Sequence, residues 1–233
     1  MRYALYFAPS AGSPLSQAAA AWLGRDAFTG GTHPRRGERD FAAEELDALT
    51  ADPRRYGFHA TLKAPFHLAE GMSEDDLLVA FAAFAEKTAP FELPAVIVGR
   101  LGPFFALVPD QPHPPLQDFA ASVVEVFEPF RAPLSETDIE RRKPDSLPSG
   151  QRENLMRWGY PYVFDEFRFH MTLTGPVPAA QAPAMANLLN ERFADFIGRP
   201  LRIDGLALFI EPERGAPFLV HSRLPLTAAQ PNG

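Results

Sequence analysis

The 233-residue chain contains no cysteine, which excludes disulfides, thiolate zinc sites and a cysteine nucleophile and is consistent with a reducing compartment. Its net charge of −7 and pI of about 5.4 argue against sequence-independent binding to a long polyanion, but leave room for a small anion in a locally basic cleft. No apolar run approaches the ~18 residues of a membrane span, and residues 1–9 resemble a first strand rather than a leader, so we expect a cytoplasmic protein without membrane contact.

Hydrophobic patterning in the first half of the chain predicts strands and helices separated by glycine and proline. Residues 2–9 alternate as a strand, and Ser13–Pro14 forms an N-cap and first-turn pair that opens a helix to about residue 23. Residues 41–49 have helical character, and Asp52–Pro53 is expected to break the chain before the next strand. Three further elements follow: a helix from Ser73, and hairpin strands at 91–98 and 104–108.

The second half repeats this pattern after an irregular segment. A helix from Pro115 ends at the bend at Pro129, and residues 131–162 then mix charge, proline and aromatics without a clear period, which indicates an insertion. Residues 178–196 are predicted to be helical, and residues 201–210 and 218–224 are predicted strands.

One sequence motif occurs twice. The pattern F-H-x-T-L-x-x-P covers residues 58–65 and again residues 169–176, with the two histidines 111 positions apart. In a strand, alternate residues share a face, so His59, Thr61 and Lys63 are expected on one side and Phe58, Ala60 and Leu62 on the core side.

The second copy predicts the same arrangement. His170, Thr172 and Thr174 are expected to face a polar site, backed by Phe169, Met171 and Leu173. Motif strand, helix, strand, strand therefore follows both residue 58 and residue 169. The sequence predicts two copies of one α+β unit that each present an H-x-T strand to a shared cleft.

Two histidines with neutral-range pKa values are suited to paired acid–base catalysis, because one imidazole can act protonated and the other neutral near pH 7. A threonine two residues later lies ~6.6 Å along the strand, where its hydroxyl can donate to an anionic oxygen. The chemistry that fits is an in-line phosphoryl displacement: one histidine deprotonates water and the other protonates the leaving oxygen. This chemistry requires no metal or cofactor.

The paired motifs His59-Ala60-Thr61-Leu62 and His170-Met171-Thr172-Leu173 resemble the two-histidine phosphoesterase superfamily, which includes RNA ligase T-like enzymes and cyclic nucleotide phosphodiesterases. The flanking runs at 55–63 and 158–175 resemble, more narrowly, a bacterial branch associated with phosphonate-utilisation operons. The resemblance implies a metal-free cyclic phosphodiesterase with catalytic His59, His170, Thr61 and Thr172.

The resemblance also implies a bilobal fold. We expect a single two-lobed α+β domain over residues 1–233, with pseudo-symmetric lobes of antiparallel sheet and helices packed outside. The motif-bearing halves are approximately 1–130 and 163–226, and residues 131–162 are inserted near the cleft. A ribose 1,2-cyclic phosphate type of ester is the substrate hypothesis that the phosphonate setting suggests.

Several residues beside the motifs are candidates for substrate binding. Lys63 and Thr174 would share the front faces of their strands, and Arg168 would share the face of His170 as an anion clamp. Tyr56 either stacks on a base or sugar or packs in the core. The run Arg141-Arg142-Lys143 is either a solvated face or a phosphate-recruiting group.

The function has alternatives of different classes. The first hypothesis is an enzyme that hydrolyses a small cyclic phosphodiester. The second is an enzyme that opens or ligates RNA ends carrying 2′,3′-cyclic phosphate. The third is a non-catalytic module that binds phosphate or a nucleotide. The expected partner is a small phosphorylated substrate, with no extended nucleic-acid binding. The oligomeric state is left open.

Overall fold

The computed structural model describes residues 1–229 and shows a mixed α+β fold built on antiparallel sheet. The strands are β1 (Arg2–Phe7), β2 (Ala60–Phe66), β3 (Phe91–Leu93), β4 (Val96–Leu101), β5 (Phe104–Pro109), β6 (Met171–Thr172), β7 (Leu201–Ile203), β8 (Gly205–Glu211) and β9 (Leu219–Pro225). The α-helices are α1 (Pro14–Leu23), α2 (Ala43–Leu49), α3 (Ala51–Tyr56), α4 (Glu74–Lys87), α5 (Pro114–Val126), α6 (Glu136–Arg141), α7 (Ser149–Trp158) and α8 (Ala182–Arg192). The predicted α+β class is confirmed.

The internal repeat is visible in the order of the elements. The first copy runs β2–α4–β3–β4–β5 and the second runs β6–α8–β7–β8–β9. Seven strands form one sheet in the order β4-β5-β6-β2-β1-β8-β9, and β3 pairs with β7 in a second, two-stranded sheet. Equivalent elements of the two copies are therefore arranged around the junction between β6 and β2, the two strands that carry the motifs.

The two copies exchange their hairpins. The β4–β5 hairpin follows the first motif in sequence but pairs with β6 of the second motif, through Ala106–Thr172 and Leu107–Met171. The β8–β9 hairpin follows the second motif but pairs with β1, which in turn pairs with β2. On either side of the β6–β2 junction, the strand order therefore contains strands from both halves of the sequence.

Local sequence signals explain where the two best-predicted helices begin. The Ser13 hydroxyl accepts a hydrogen bond from the Ser16 N–H at the start of α1, and Pro14 occupies the first turn, where its missing N–H costs nothing. Ser73 and Asp76 form a reciprocal capping box at the start of α4.

The sheet separates two apolar clusters. Tyr3, Leu5 and Phe7 of β1 face a large core shared with α1, α4, α5 and α8. Ala4 and Tyr6 face the opposite side, where they join a smaller cluster with Ala8, Ala27, Ala207, Phe209 and Phe218. This strict alternation means that the side of the sheet away from the large core is lined with small and aromatic residues.

Some predicted boundaries are wrong. Pro53 does not break the chain but lies in the first turn of α3, where no intrahelical N–H bond is required. The predicted strand 91–98 is divided into β3 and β4, which join different sheets, and the strand 201–210 is likewise divided into β7 and β8. The segment 131–162, predicted without periodic structure, contains α6 and α7.

Candidate active site

The two motif strands lie next to each other in the sheet. They pair antiparallel through Ala60 and Met171. Extended by one residue in each direction, this register places His59 opposite Thr172 and Thr61 opposite His170. Each histidine is thus brought to the threonine of the other motif, and the predicted apolar backs of both strands are buried, as expected.

His59 is held by its own chain and by an aromatic ring. Its Nδ1 lies 2.9 Å from the Gly57 carbonyl oxygen, so in the neutral ring Nδ1–H donates and Nε2 carries the lone pair. Nε2 lies 3.2 Å from the Thr61 hydroxyl. The imidazole stacks on Tyr6 with ring centroids 3.9 Å apart.

Gly57 allows this arrangement because its φ is +79°, and a Cβ on it would lie 2.4 Å from the Ala27 side chain. The approach to the first motif therefore requires glycine.

His170 repeats the same orientation. Its Nδ1 donates to the carbonyl of Arg168, two residues earlier, at 2.7 Å, just as His59 donates to Gly57. The Phe104 ring is its aromatic neighbour, with centroids 5.8 Å apart. Both histidines consequently donate Nδ1–H to the main chain, which leaves Nε2 as the nitrogen that can accept a proton; that of His59 is within hydrogen-bond distance of the Thr61 hydroxyl.

Burial makes both imidazoles weak bases. It lowers the pKa of His59 to about 4; the Gly57 carbonyl opposes this shift, and the charge of a protonated His170 adds to it. Burial also lowers the pKa of His170, and the Arg168 carbonyl opposes that shift. Both rings are therefore neutral at pH 7 in the free protein, and a bound anion would favour the protonation of either.

Two adjoining cavities contain the motif residues. One, of about 240 Å³, includes His59 with Thr172 and Thr174, and the other, of about 590 Å³, includes His170 with Thr61. Phe104 contributes to the walls of both. Each cavity thus combines a histidine from one motif with a threonine from the other, in agreement with the strand register.

Lys63 does not share the face of His59 and Thr61, so that prediction is wrong. The β1–β2 register shifts between Leu5–Lys63 and Tyr6–Thr61, because β2 contains an extra residue there. The shift reverses the alternation and turns Lys63 toward α5. Its buried Nζ donates to the Val124 carbonyl at 3.1 Å and to Glu128 at 2.7 Å.

The other three predicted substrate-binding residues line the cavities. Arg168 is exposed in the larger cavity and makes no ion pair within residues 1–229. Tyr56 lines the smaller cavity but also stacks on Phe218, with centroids 4.9 Å apart. The Thr174 hydroxyl is fully buried and accepts a hydrogen bond from the Phe105 N–H at 3.0 Å, so it also anchors the sheet.

Sequence reasoning missed two residues of the site. Tyr6 lies under His59, and Arg100 lines the larger cavity beside Arg168. Of these two, only Tyr6 had a usable signal, as a hydroxylated ring on the alternate face of an apolar strand. Tyr160, an aromatic residue of the segment 131–162 that the sequence offered either as part of a stacking lid or as an anchor of the insertion, lines the same cavity, and burial raises its pKa to about 12.

Two kinds of site are absent from the part of the chain that the structure describes. Residues 1–229 contain no group of three or more His, Cys, Asp or Glu side chains placed to hold a metal ion. Every helix within residues 1–229 is too short or too polar to span a bilayer.

The chain is similar to two curated proteins. It is 39% identical over 230 residues to the ribose 1,5-bisphosphate phosphokinase PhnN of Janthinobacterium sp. (strain Marseille), covering 97% of this chain and 51% of that protein. It is 36% identical over 219 residues to the protein of the same name from Laribacter hongkongensis (strain HLHK9), covering 94% and 50%. The chain spans about half the length of these relatives.

Solved structures are similar to the chain at low sequence identity. TT0787 of Thermus thermophilus is 14% identical, with a TM-score of 0.47 over 99% of this chain and 100% of that one. E. coli LigT complexed with 3′-AMP is 13% identical, with a TM-score of 0.44 over 97% and 98%. The model of one family, described as protein of unknown function (DUF1045), matches residues 61–219, which is more than half of the sequence. The chain therefore belongs to the DUF1045 family.

Proposed function

We propose that this protein is a two-histidine phosphoesterase that hydrolyses a small cyclic phosphodiester without a metal. The observation that carries the proposal is the β2–β6 register, which sets His59 opposite Thr172 and His170 opposite Thr61. Both histidines direct Nδ1 to a main-chain carbonyl and leave Nε2 for proton transfer. Positioned proton transfer of this kind contributes typically ~10²–10⁴-fold to a rate.

The reaction follows from these positions. The Nε2 of one histidine removes a proton from water as the water oxygen bonds to phosphorus. The phosphorus–oxygen bond of the ring breaks in line, and the second histidine protonates the leaving oxygen. Thr61 and Thr172 donate hydrogen bonds to the non-bridging oxygens. The pseudo-symmetry of the site leaves either histidine equally suited to be the base.

The relatives support a sugar phosphate as substrate. A 1,2-cyclic phosphate of ribose 5-phosphate, opened at the bond to O2, gives ribose 1,5-bisphosphate, the compound in the name of both relatives. This chain has no G-x-x-x-x-G-K-[S/T] phosphate-binding loop, so we assign the named kinase activity to the other half of those proteins. Ring opening would then supply the substrate of the adjoining kinase.

The test is phosphorus NMR of the purified protein in excess chelator. The panel contains ribose 1,2-cyclic phosphates and nucleoside 2′,3′-cyclic phosphates. We expect the wild type to convert a ribose 1,2-cyclic phosphate to a monoester, and His59→Ala and His170→Ala each to abolish turnover. His67→Ala is the matched control, since this exposed histidine bonds to the Met1 carbonyl outside both cavities.

Four results would contradict the proposal. Full activity in either motif variant would show that the histidine pair is not required for turnover. Loss of activity in chelator would show that the reaction needs a metal. Turnover restricted to nucleoside 2′,3′-cyclic phosphates would transfer the assignment to RNA ends. A ligand that binds tightly and is recovered unchanged would favour the binding module.

A further inference from the structure

A third cavity, of about 410 Å³, lies beside the candidate active site and is strongly basic. Its walls contain five arginines with one tyrosine, one proline and one glycine: Arg2, Arg55, Arg141, Arg142, Arg214, Tyr56, Pro65 and Gly215. No acidic residue lines it. We call it the arginine cavity. Such a concentration of cations is unexpected in a chain whose net charge is −7.

The carboxylates that contact these arginines neutralise only part of the charge. The fully buried Glu211 pairs with Arg2 and Arg55, and its Oε1 also accepts the Gly215 N–H. Asp138 pairs with Arg141 and Arg214. Five arginines against two carboxylates leave a surplus of three positive charges.

Arg142 is the cation of the cavity that has no carboxylate partner within residues 1–229. Its guanidinium carbon lies 5.1 Å from the centre of the Tyr160 ring, an aromatic contact that leaves its donors available. A site with unneutralised guanidinium groups and aromatic walls is suited to an anion with several oxygens.

The arginine cavity shares a wall residue with the candidate active site. Tyr56 lines both the arginine cavity and the cavity that holds His59 and Thr172. The ring of Tyr6 stacks on His59. The Tyr6 hydroxyl is also close enough to interact electrostatically with Arg2, Glu211, Tyr56 and Tyr160. Arg2 and Tyr6 also alternate onto the same side of β1. The two cavities therefore share Tyr56 as a wall and lie on the same face of the sheet.

We propose that the arginine cavity binds a second phosphate of the substrate, a terminal phosphomonoester remote from the cyclic ester. This inference rests on the proposed function, because it identifies which cyclic phosphodiester the enzyme prefers. A phosphomonoester carries about −1.5 to −2 charges at pH 7 and accepts the bidentate hydrogen bonds that arginine donates. In a ribose 1,2-cyclic phosphate, that group is the 5-phosphate.

The proposal also gives the inserted segment a function. Arg141 and Arg142 end α6, and the same segment supplies Tyr160. The insertion would then determine substrate choice, whereas the repeated motif supplies the chemistry. Of the two interpretations of the run Arg141-Arg142-Lys143, a solvated face or a phosphate-recruiting group, the proposal favours the second for Arg141 and Arg142.

The first experiment compares kcat/KM for ribose 1,2-cyclic phosphate with and without a 5-phosphate. We expect the wild type to prefer the 5-phosphorylated compound by about 10- to 100-fold. Arg142→Gln should move this ratio toward one. Arg202→Gln is the matched control: it removes an exposed arginine on β7, in the two-stranded sheet, and should leave the ratio as in the wild type. Equal rates on both compounds in the wild type would overturn the subsite and leave the esterase intact.

A binding measurement separates this inference from the catalytic one. We expect ribose 5-phosphate to bind the wild type in calorimetry, and Arg142→Gln and Arg141→Gln to weaken it about 10-fold or more, with Arg202→Gln unchanged. If no cyclic phosphate is hydrolysed but this pattern holds, the esterase fails and the anion subsite stands. Equal binding of ribose 5-phosphate by Arg142→Gln and the wild type would overturn the subsite.

Discussion

The two imidazoles of the site are oriented by their own backbones rather than by partner side chains. Each Nδ1–H donates to the carbonyl two residues earlier, Gly57 for His59 and Arg168 for His170. A carbonyl fixes the tautomer without adding the negative charge that a carboxylate would bring. Burial therefore dominates and lowers the pKa of both rings.

This electrostatic situation predicts an acidic pH optimum for kcat/KM. The base must be neutral and the acid protonated, and in the free enzyme both pKa values lie below 6.5, that of His59 at about 4. Activity should rise as the base loses its proton and fall as the acid loses its own, with both midpoints below pH 6.5. The midpoints belong to the coupled pair rather than to one residue.

The measurement is kcat/KM between pH 3.5 and 9 at constant ionic strength. Enzyme held at each acidic pH and assayed at neutral pH controls for unfolding. The kcat profile should lie at higher pH, because the bound phosphate anion stabilises both imidazolium forms. A kcat/KM optimum at or above pH 7 would contradict the lowered values.

Among the single elements, β2 shows how one extra residue in a strand changes the face of the sheet to which a side chain points. The register shift beside Thr61 leaves His59 and Thr61 on the cleft side but sends Lys63 under α5. There it donates to Glu128, which also pairs with Arg131 at 2.6 Å. The lysine therefore ties the motif strand to the end of α5 and is separated from the reacting groups by the sheet.

The asymmetry of this cluster predicts unequal effects on stability. Lys63→Met should cost about 1 kcal/mol or less in unfolding free energy, because Glu128 keeps Arg131 and the methionine stem fills the same space. Glu128→Ala should cost about 3–5 kcal/mol, since it leaves a buried ammonium with only the Val124 carbonyl. Urea unfolding of both variants gives the comparison.

Activity provides the second readout for this cluster. Because Lys63 lines neither motif cavity, Lys63→Met should retain the wild-type KM for a cyclic phosphate. A tenfold higher KM with unchanged stability would restore Lys63 as a substrate-binding residue.

These elements also show what the sequence could predict. The repeated spacing of His59–Thr61 and His170–Thr172 and the caps at Ser13 and Ser73 are local patterns, so they were sufficient to predict the motif strands and two helix starts. The face on which Lys63 lies depends on the register between β2 and β1. That register is a long-range feature, which the residue pattern of β2 alone does not contain.

The length of the second motif strand could not be predicted from its sequence either. Only Met171–Thr172 remain in the ladder, because regular pairing stops after them: the Leu173 and Thr174 N–H groups both donate to the single Phe105 carbonyl of β5, and that of Gly175 donates to Leu49 outside the sheet. The arginine cavity was equally hidden, since it combines residues 2, 55, 141, 142 and 214, which come together only in the folded chain.

At the scale of the whole molecule, the repeat does not divide the protein into two independent halves. The hairpin of each copy extends the half of the strand order that contains the other copy's motif strand. In the second sheet, β3 of one copy pairs with β7 of the other. Trp22 of α1 adds a buried link, as its indole N–H donates to the Leu173 carbonyl of the second motif at 2.8 Å. The candidate active site therefore forms only when both halves are folded together.

The exchanged hairpins predict one cooperative unfolding transition. The variant Trp158→Phe leaves Trp22 as the single tryptophan of the chain, in the large core at the link between the two halves. Urea curves from Trp22 fluorescence and from far-UV circular dichroism should then coincide, because each half loses part of its sheet pairing without the other.

A fragment of residues 1–130 sharpens the same test. Without β6 and β8, its β4–β5 hairpin is separated from the β1–β2 pair and both pairs keep open edges, so the fragment should be unfolded or aggregate through those edges. Two separated transitions in the full chain, or a fragment with cooperative unfolding of its own, would show that the repeats are autonomous lobes. Because His59 and His170 face each other's threonines across a single junction, autonomy of that kind would also leave the site free to open between them.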